Sequence, residues 1–227
     1  MAASPVKSAL EDLLKAHRLQ AEGPPLRGER RLSPLPTGIG PLDERIGGGF
    51  PRGQVSEVHG PASSGRTAVA LAAVAVALRR GALAAWVDPG DRFDPGSAAE
   101  AGVELARLLW LRRAALGPAL SATGTLLGSG LFELVVLDLA GLSAADPSRL
   151  PHTTWLRLQR GVENMPCALL LLAQAHVAHG PAGVSLALSP GQGAWTGSGP
   201  GRLLTGLFTE ARRGERGQRS PLILSAP

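Results

Sequence analysis

Gly60-Pro-Ala-Ser-Ser-Gly-Arg-Thr67 closes one apolar run, Val55 to His59, and opens another, Ala68 to Leu78. Strand, glycine-containing loop and helix in that order form the setting in which backbone N–H groups and a helix N-terminus cradle phosphate. Gly60 and Gly65 supply the backbone turns, Ser63 and Ser64 line the loop between them, and Thr67 brings a hydroxyl suited to Mg²⁺. One letter departs from the phosphate-loop (Walker A) pattern. It asks for lysine where this chain has Arg66. Arginine keeps the positive charge, but its planar fork is bulkier than a compact ammonium and fits the cradle less well.

Working outward, Leu134-Val-Val-Leu-Asp138 reads as a buried strand that delivers a carboxylate to the sheet edge, where Mg²⁺ would sit in a phosphate-loop fold (Walker B). Leu83 to Asp88 is a further apolar strand and leaves through the turn Pro89 to Pro95. Ala168 to Ala173 is another, followed at once by Gln174, and apolar strands follow at Leu203 to Phe208 and Pro221 to Leu224. Strands alternating with helical stretches predict an α/β domain, with a mostly parallel central sheet and flanking helices. The near-uniform Ala, Val and Leu content of the helix after Thr67 suits burial on several sides.

With 227 residues and 44% hydrophobic content, the chain can bury a full core. No long uncharged apolar run or signal pattern is present, which predicts a cytoplasmic location with no membrane association. The lone Cys167, beside an apolar run, reads as a small buried hydrophobe. A net charge of +5 permits acidic partners, but zero Tyr and only four Phe and four Trp argue against a surface built on base stacking. His176 and His179 have no Cys or acidic neighbour in sequence and read as polar loop residues, so no metal site is expected.

Three regions follow from patterning: an N-terminal amphipathic helix within residues 1–22, a Pro/Gly/Arg-rich linker over 23–36, and a core domain over 37–227. The helix carries Val6, Leu10, Leu13 and Leu14 on one stripe and is too short to stand alone. It docks either on its own core or on another molecule, and Leu10, Leu13 and Leu14 are its candidate partner-binding residues.

Between Leu35 and the phosphate loop stand Pro36-Thr37-Gly38-Ile39-Gly40-Pro41-Leu42-Asp43, then Gly47-Gly48-Gly49-Phe50-Pro51-Arg52-Gly53, then the Val55 strand. This ordered series resembles the entry to the ATPase core of the RecA/RadA family, which implies a RecA-like fold with ATP and Mg²⁺ as ligands. The resemblance makes Gly60, Ser63, Ser64, Gly65, Arg66, Thr67, Asp138 and Gln174 the nucleotide-site positions, with Gln174 as the γ-phosphate sensor. It places one DNA-contacting loop over Leu142 to Thr153. A second, mobile loop would span Ala178 to Gly201, with Trp195, Arg202, Arg212 and Arg213 as candidate DNA or partner contacts.

Departures from the family pattern accumulate at the nucleotide site. The acidic residue that activates water is replaced by Gly90, leaving Asp88 and Asp91 as residual candidates, and the adenine-stacking tyrosine is replaced by Ser97. Loss of a general base typically costs about 10²–10⁴-fold. With Arg66, these losses all point to a core that binds partners without hydrolysing ATP, holding nucleotide weakly if at all. A short chain with this pattern is similar to the ImuA-type proteins of bacterial mutagenesis cassettes, which assist translesion DNA synthesis in the SOS response. That likeness implies an ImuB-type Y-family polymerase homologue, an error-prone C-family polymerase and RecA as partners, together with self-association and DNA contact. The competing reading is a DNA-stimulated ATPase of the RecA-paralogue type acting in recombinational repair. A small-molecule kinase is disfavoured because nothing resembles a substrate lid.

Overall fold

The structure is a computed structural model that describes residue 12 and residues 33–112, 115–143, 145–178, 183–214 and 217–225. Leu10, Leu13, Leu14 and His179 lie outside the described residues.

Six parallel strands form the centre of a nine-stranded sheet, in the order β3 (Leu108–Arg112), β2 (Leu83–Asp88), β4 (Phe132–Asp138), β5 (Ala168–Ala173), β1 (Val55–His59) and β6 (Ser185–Leu188). Strands covered on both faces read as continuous apolar runs rather than alternating ones. Ala168 to Ala173 is accordingly buried along its whole length. An antiparallel extension follows, in which β8 (Leu203–Arg213) pairs with β6, β7 (Gln192–Thr196) and β9 (Arg219–Ser225).

Between these strands lie α1 (Gly40–Ile46), α2 (Arg66–Arg79), α3 (Pro95–Glu100), α4 (Leu116–Ser129), α5 (Ala145–Ser148) and α6 (His152–Val162). Strand periodicity divides the core in two. Val58, Trp86, Leu134, Val136 and Leu170 pack with Val69, Val74 and Leu78 of α2. Val87, Val135, Leu137 and Leu169 face the other way and pack with Leu126 and Leu127 of α4 and Trp155 and Leu158 of α6. Cys167 is buried there, and burial pushes its thiol up to about 12, as expected of an inert packing residue.

Two sequence expectations change. Leu35, read as linker, is fully buried and exchanges two 2.8 Å backbone hydrogen bonds with Phe50, so the core begins before residue 37. The Gly/Pro/Ser-rich stretch from Ala178 to Gly201, read as a mobile loop, holds β6 and β7. Its glycines mask a short period-2 pattern in which Leu186 and Leu188 alternate inward and are buried. Among the described residues, no helix is long and apolar enough to cross a membrane.

Candidate functional site

The carboxyl ends of β1, β4 and β5 converge, which is where ligands sit in open α/β sheets. His59 pairs with Ala173, and Asp138 with Leu172, so the phosphate loop, Asp138 and Gln174 leave neighbouring strand ends. The loop is tightly built. A Cβ on Gly60 would lie 2.4 Å from the Leu188 carbonyl oxygen, and Gly65 has φ +91° with Leu224 and Leu207 packed against it. Neither position accepts a larger residue without displacing its neighbours.

Arg66 is the first residue of α2, and its guanidinium turns back into the mouth of the loop. Nη1 donates to the Gly60 carbonyl and, at 3.0 Å, to the Ala173 carbonyl. Ala173 also accepts the Gly60 N–H at 3.2 Å. Burial lowers the Arg66 pKa, and the charge of Asp138 opposes that shift. Asp138 is 3% exposed and accepts from the Ala140 N–H at 3.0 Å. Burial raises its pKa to about 6, with the Asp88 charge adding to the rise and Arg66 and the Ala140 N–H opposing it. Ser63 and Thr67 are exposed. Ser64 Oγ is buried without a hydrogen-bond partner.

The substitutes for the missing acid are committed elsewhere. Asp88 is fully buried and accepts from the N–H groups of Arg92 at 3.0 Å and Phe93 at 2.8 Å, fixing the turn that leaves β2. Asp91, in the left-handed region at φ +53°, accepts bidentately from Arg112 at 2.9 and 3.1 Å. Gly90 itself has no room for a side chain, because a Cβ there would lie 2.7 Å from the Gly141 Cα. Ser97, at the stacking position, donates from both its N–H (2.8 Å) and its hydroxyl (2.6 Å) to the N-cap Asp94 of α3.

The residues suit a magnesium nucleotide only in part. Thr67 and Asp138 suit the metal, but the guanidinium holds the carbonyls of Gly60 in the loop and Ala173 on β5, and among the described residues both substitute carboxylates, Asp88 and Asp91, are committed to other partners.

Gln174 reaches sideways, its Nε2 donating to the carbonyls of Ala140 (3.1 Å) and Leu142 (3.0 Å). The remaining candidates divide. Arg202 lies 4.8 Å over the half-exposed Trp195 ring, Arg213 donates to the Arg45 carbonyl at 3.3 Å, and Arg212 adds its charge to the surroundings of His59. Arg202 precedes one end of β8, and Arg212 and Arg213 close the other.

Sequence reading passed over Glu57. It is fully buried on β1 and accepts from the N–H groups of Val177 (2.8 Å) and Ala178 (3.3 Å), with His176 Nδ1 at 2.6 Å. His176, read as a plain loop residue, is thus paired. A carboxylate in the middle of a buried strand is the signal that could have found it, because such a group requires partners. The His59 ring lies 5.4 Å from the His176 ring, tilted by 40°, and burial, joined by the charges of His176, Arg212 and Arg66, lowers its pKa against the pull of Glu57. Among the described residues, no group of three His, Cys, Asp or Glu side chains is placed to hold a metal ion.

Residues 26–147 match the RecA N-terminal domain. The chain is 40% identical to Protein RecA of Lactobacillus acidophilus over 144 residues, covering 61% of this chain and 40% of that protein. It is 45% identical to Protein RecA of Chlorobaculum parvum over 105 residues, covering 46% of this chain and 30% of that protein. The chain thus spans about two fifths or less of the length of these curated relatives.

Proposed function

The chain belongs to the RecA N-terminal domain family, and from that membership we propose that it is an accessory protein of DNA repair. In this reading it assists error-prone translesion synthesis through protein contacts and does not hydrolyse ATP. The observation that carries the reading is Arg66, whose guanidinium is bonded to the Gly60 and Ala173 carbonyls at the mouth of the phosphate loop. The contact of Gly90 with Gly141 supports it, because it leaves no space for a water-activating carboxylate. The partners in this proposal are an ImuB-type Y-family polymerase homologue, an error-prone C-family polymerase and RecA. The stripe Leu10, Leu13 and Leu14 serves association, including self-association.

The test is phosphate release by the purified full chain, with and without single-stranded DNA, alongside calorimetric titration with the purified polymerase homologue. The expected outcome is background hydrolysis and partner binding that is equal with and without Mg-ATP. A second reading, a DNA-stimulated ATPase, draws on the exposed Thr67 hydroxyl and on Asp138 at the neighbouring strand end. DNA-stimulated hydrolysis that disappears in Asp138→Ala would select that reading.

A further inference from the structure

The polar contacts at the sheet edge form one continuous chain. Arg66 joins the phosphate loop to the last carbonyl of β5. The next residue, Gln174, joins β5 to the loop that follows β4 through the carbonyls of Ala140 and Leu142. Within that loop, Asp138 holds the Ala140 N–H, and Gly141 is pressed against Gly90. The hydrogen-bonded links are made by side chains of this protein, the Gly90 contact is backbone against backbone, and none requires a bound ligand.

We propose that Arg66 is a built-in occupant of the phosphate loop that sets the loop after β4 in one fixed arrangement, so that the surface formed by residues 139–143 and 174–178 is independent of nucleotide. Nη1 carries two N–H groups, so this one nitrogen spans two carbonyls on different elements. A lysine ammonium has the charge and the donors but sits one bond nearer the backbone, so Arg66→Lys should break the link while leaving a cation in the loop. The inference rests on the non-hydrolysing reading but is tested separately from it, through backbone protection rather than activity or partner binding.

Hydrogen exchange followed by mass spectrometry on the full chain, with and without excess Mg-ATP as the probe, tests it. In the unaltered protein, exchange over 60–67, 139–143 and 174–178 should be the same in both conditions. Arg66→Ala should speed exchange over 139–143 and 174–178 by roughly tenfold, the effect of one lost hydrogen bond of ordinary strength. Gln174→Ala should reproduce the change over 139–143 without affecting 60–67. Should Arg66→Ala not fold, Arg66→Lys carries the same expectation at smaller amplitude. Protection of 139–143 by Mg-ATP in the unaltered protein would overturn the proposal, as would unchanged exchange there in the Arg66 variants. Neither result would decide whether the protein hydrolyses ATP or which polymerase it binds.

Discussion

Gly90→Ala probes the closure of the site with the smallest possible change. The new Cβ would stand 2.7 Å from Gly141 Cα, 2.9 Å from its carbonyl carbon and 3.3 Å from its oxygen. All three neighbours are backbone, so relief comes only by moving the turn after β2 or the loop after β4. The first is held by Asp88 through Arg92 and Phe93, and the second by Gln174 and Asp138. Overpacking of this kind costs about 1–3 kcal/mol. For a chain of this size, that lowers Tm by roughly 2–12 °C. Gly124→Ala provides an internal control, because this exposed α4 glycine has nothing within 4 Å of its would-be Cβ. Removing a helix-interior glycine there should stabilise by about 0.5–1 kcal/mol. Urea denaturation of the three proteins side by side reads both effects. If Gly90→Ala were as stable as the parent while Gly124→Ala gained stability, the two loops would not be in contact as described, and a carboxylate at position 90 would become admissible.

Further expectations concern other parts of the chain. Arg66→Lys combined with Gly90→Glu, a formal restoration of the family pattern, should stay at background in phosphate release, because the second substitution collides with Gly141. Asp138 has a folded pKa of about 6 against an ordinary 3.8. The folded chain therefore holds the proton more tightly between those values, and this group's contribution to stability declines as pH rises through 3.8 to about 6. The gap corresponds to roughly 3 kcal/mol. Asp138→Asn should accordingly stabilise by up to that amount at pH 7.5 and by almost nothing at pH 3.5, and equal effects at both pH values in denaturant titrations would contradict the burial. Glu57→Gln should destabilise by about 1–3 kcal/mol by weakening charge-assisted bonds to Val177, Ala178 and His176, with faster amide exchange at 176–178 as its local sign. Leu10→Asp with Leu14→Asp should abolish self-association in sedimentation while leaving the melting of the core unchanged, and a lowered Tm would place the helix on its own domain instead.

What was legible in the sequence was set by local pattern. The phosphate loop announced itself because its glycines, hydroxyls and flanking apolar runs are contiguous. The strand ending at Asp138 did so because a fully buried strand is written as an unbroken apolar run. The contact of Gly90 with Gly141 was invisible, because it joins two loops far apart in the chain and glycine's small size can be read as mere absence of a side chain. Glu57 was passed over because two of its three partners are backbone N–H groups, which carry no residue-specific mark. The strands β6 and β7 were hidden for the opposite reason. Their register comes from β1 and β8, while the Gly, Pro and Ser residues around them favour turns. The direction of the Arg66 guanidinium, toward carbonyls rather than toward Asp138, depends on where β5 ends.

The sequestered Cys167 thiol has a practical consequence. With a pKa of about 12 and no solvent exposure to speak of, it stays protonated and shielded under native labelling conditions. For maleimide chemistry the folded protein is thus effectively thiol-free. A single cysteine placed at an exposed site such as Leu203, which is 67% exposed on β8, would take up a fluorophore or spin label alone. Distances from that mark to a labelled partner can then be measured on a chain whose native cysteine need not be removed.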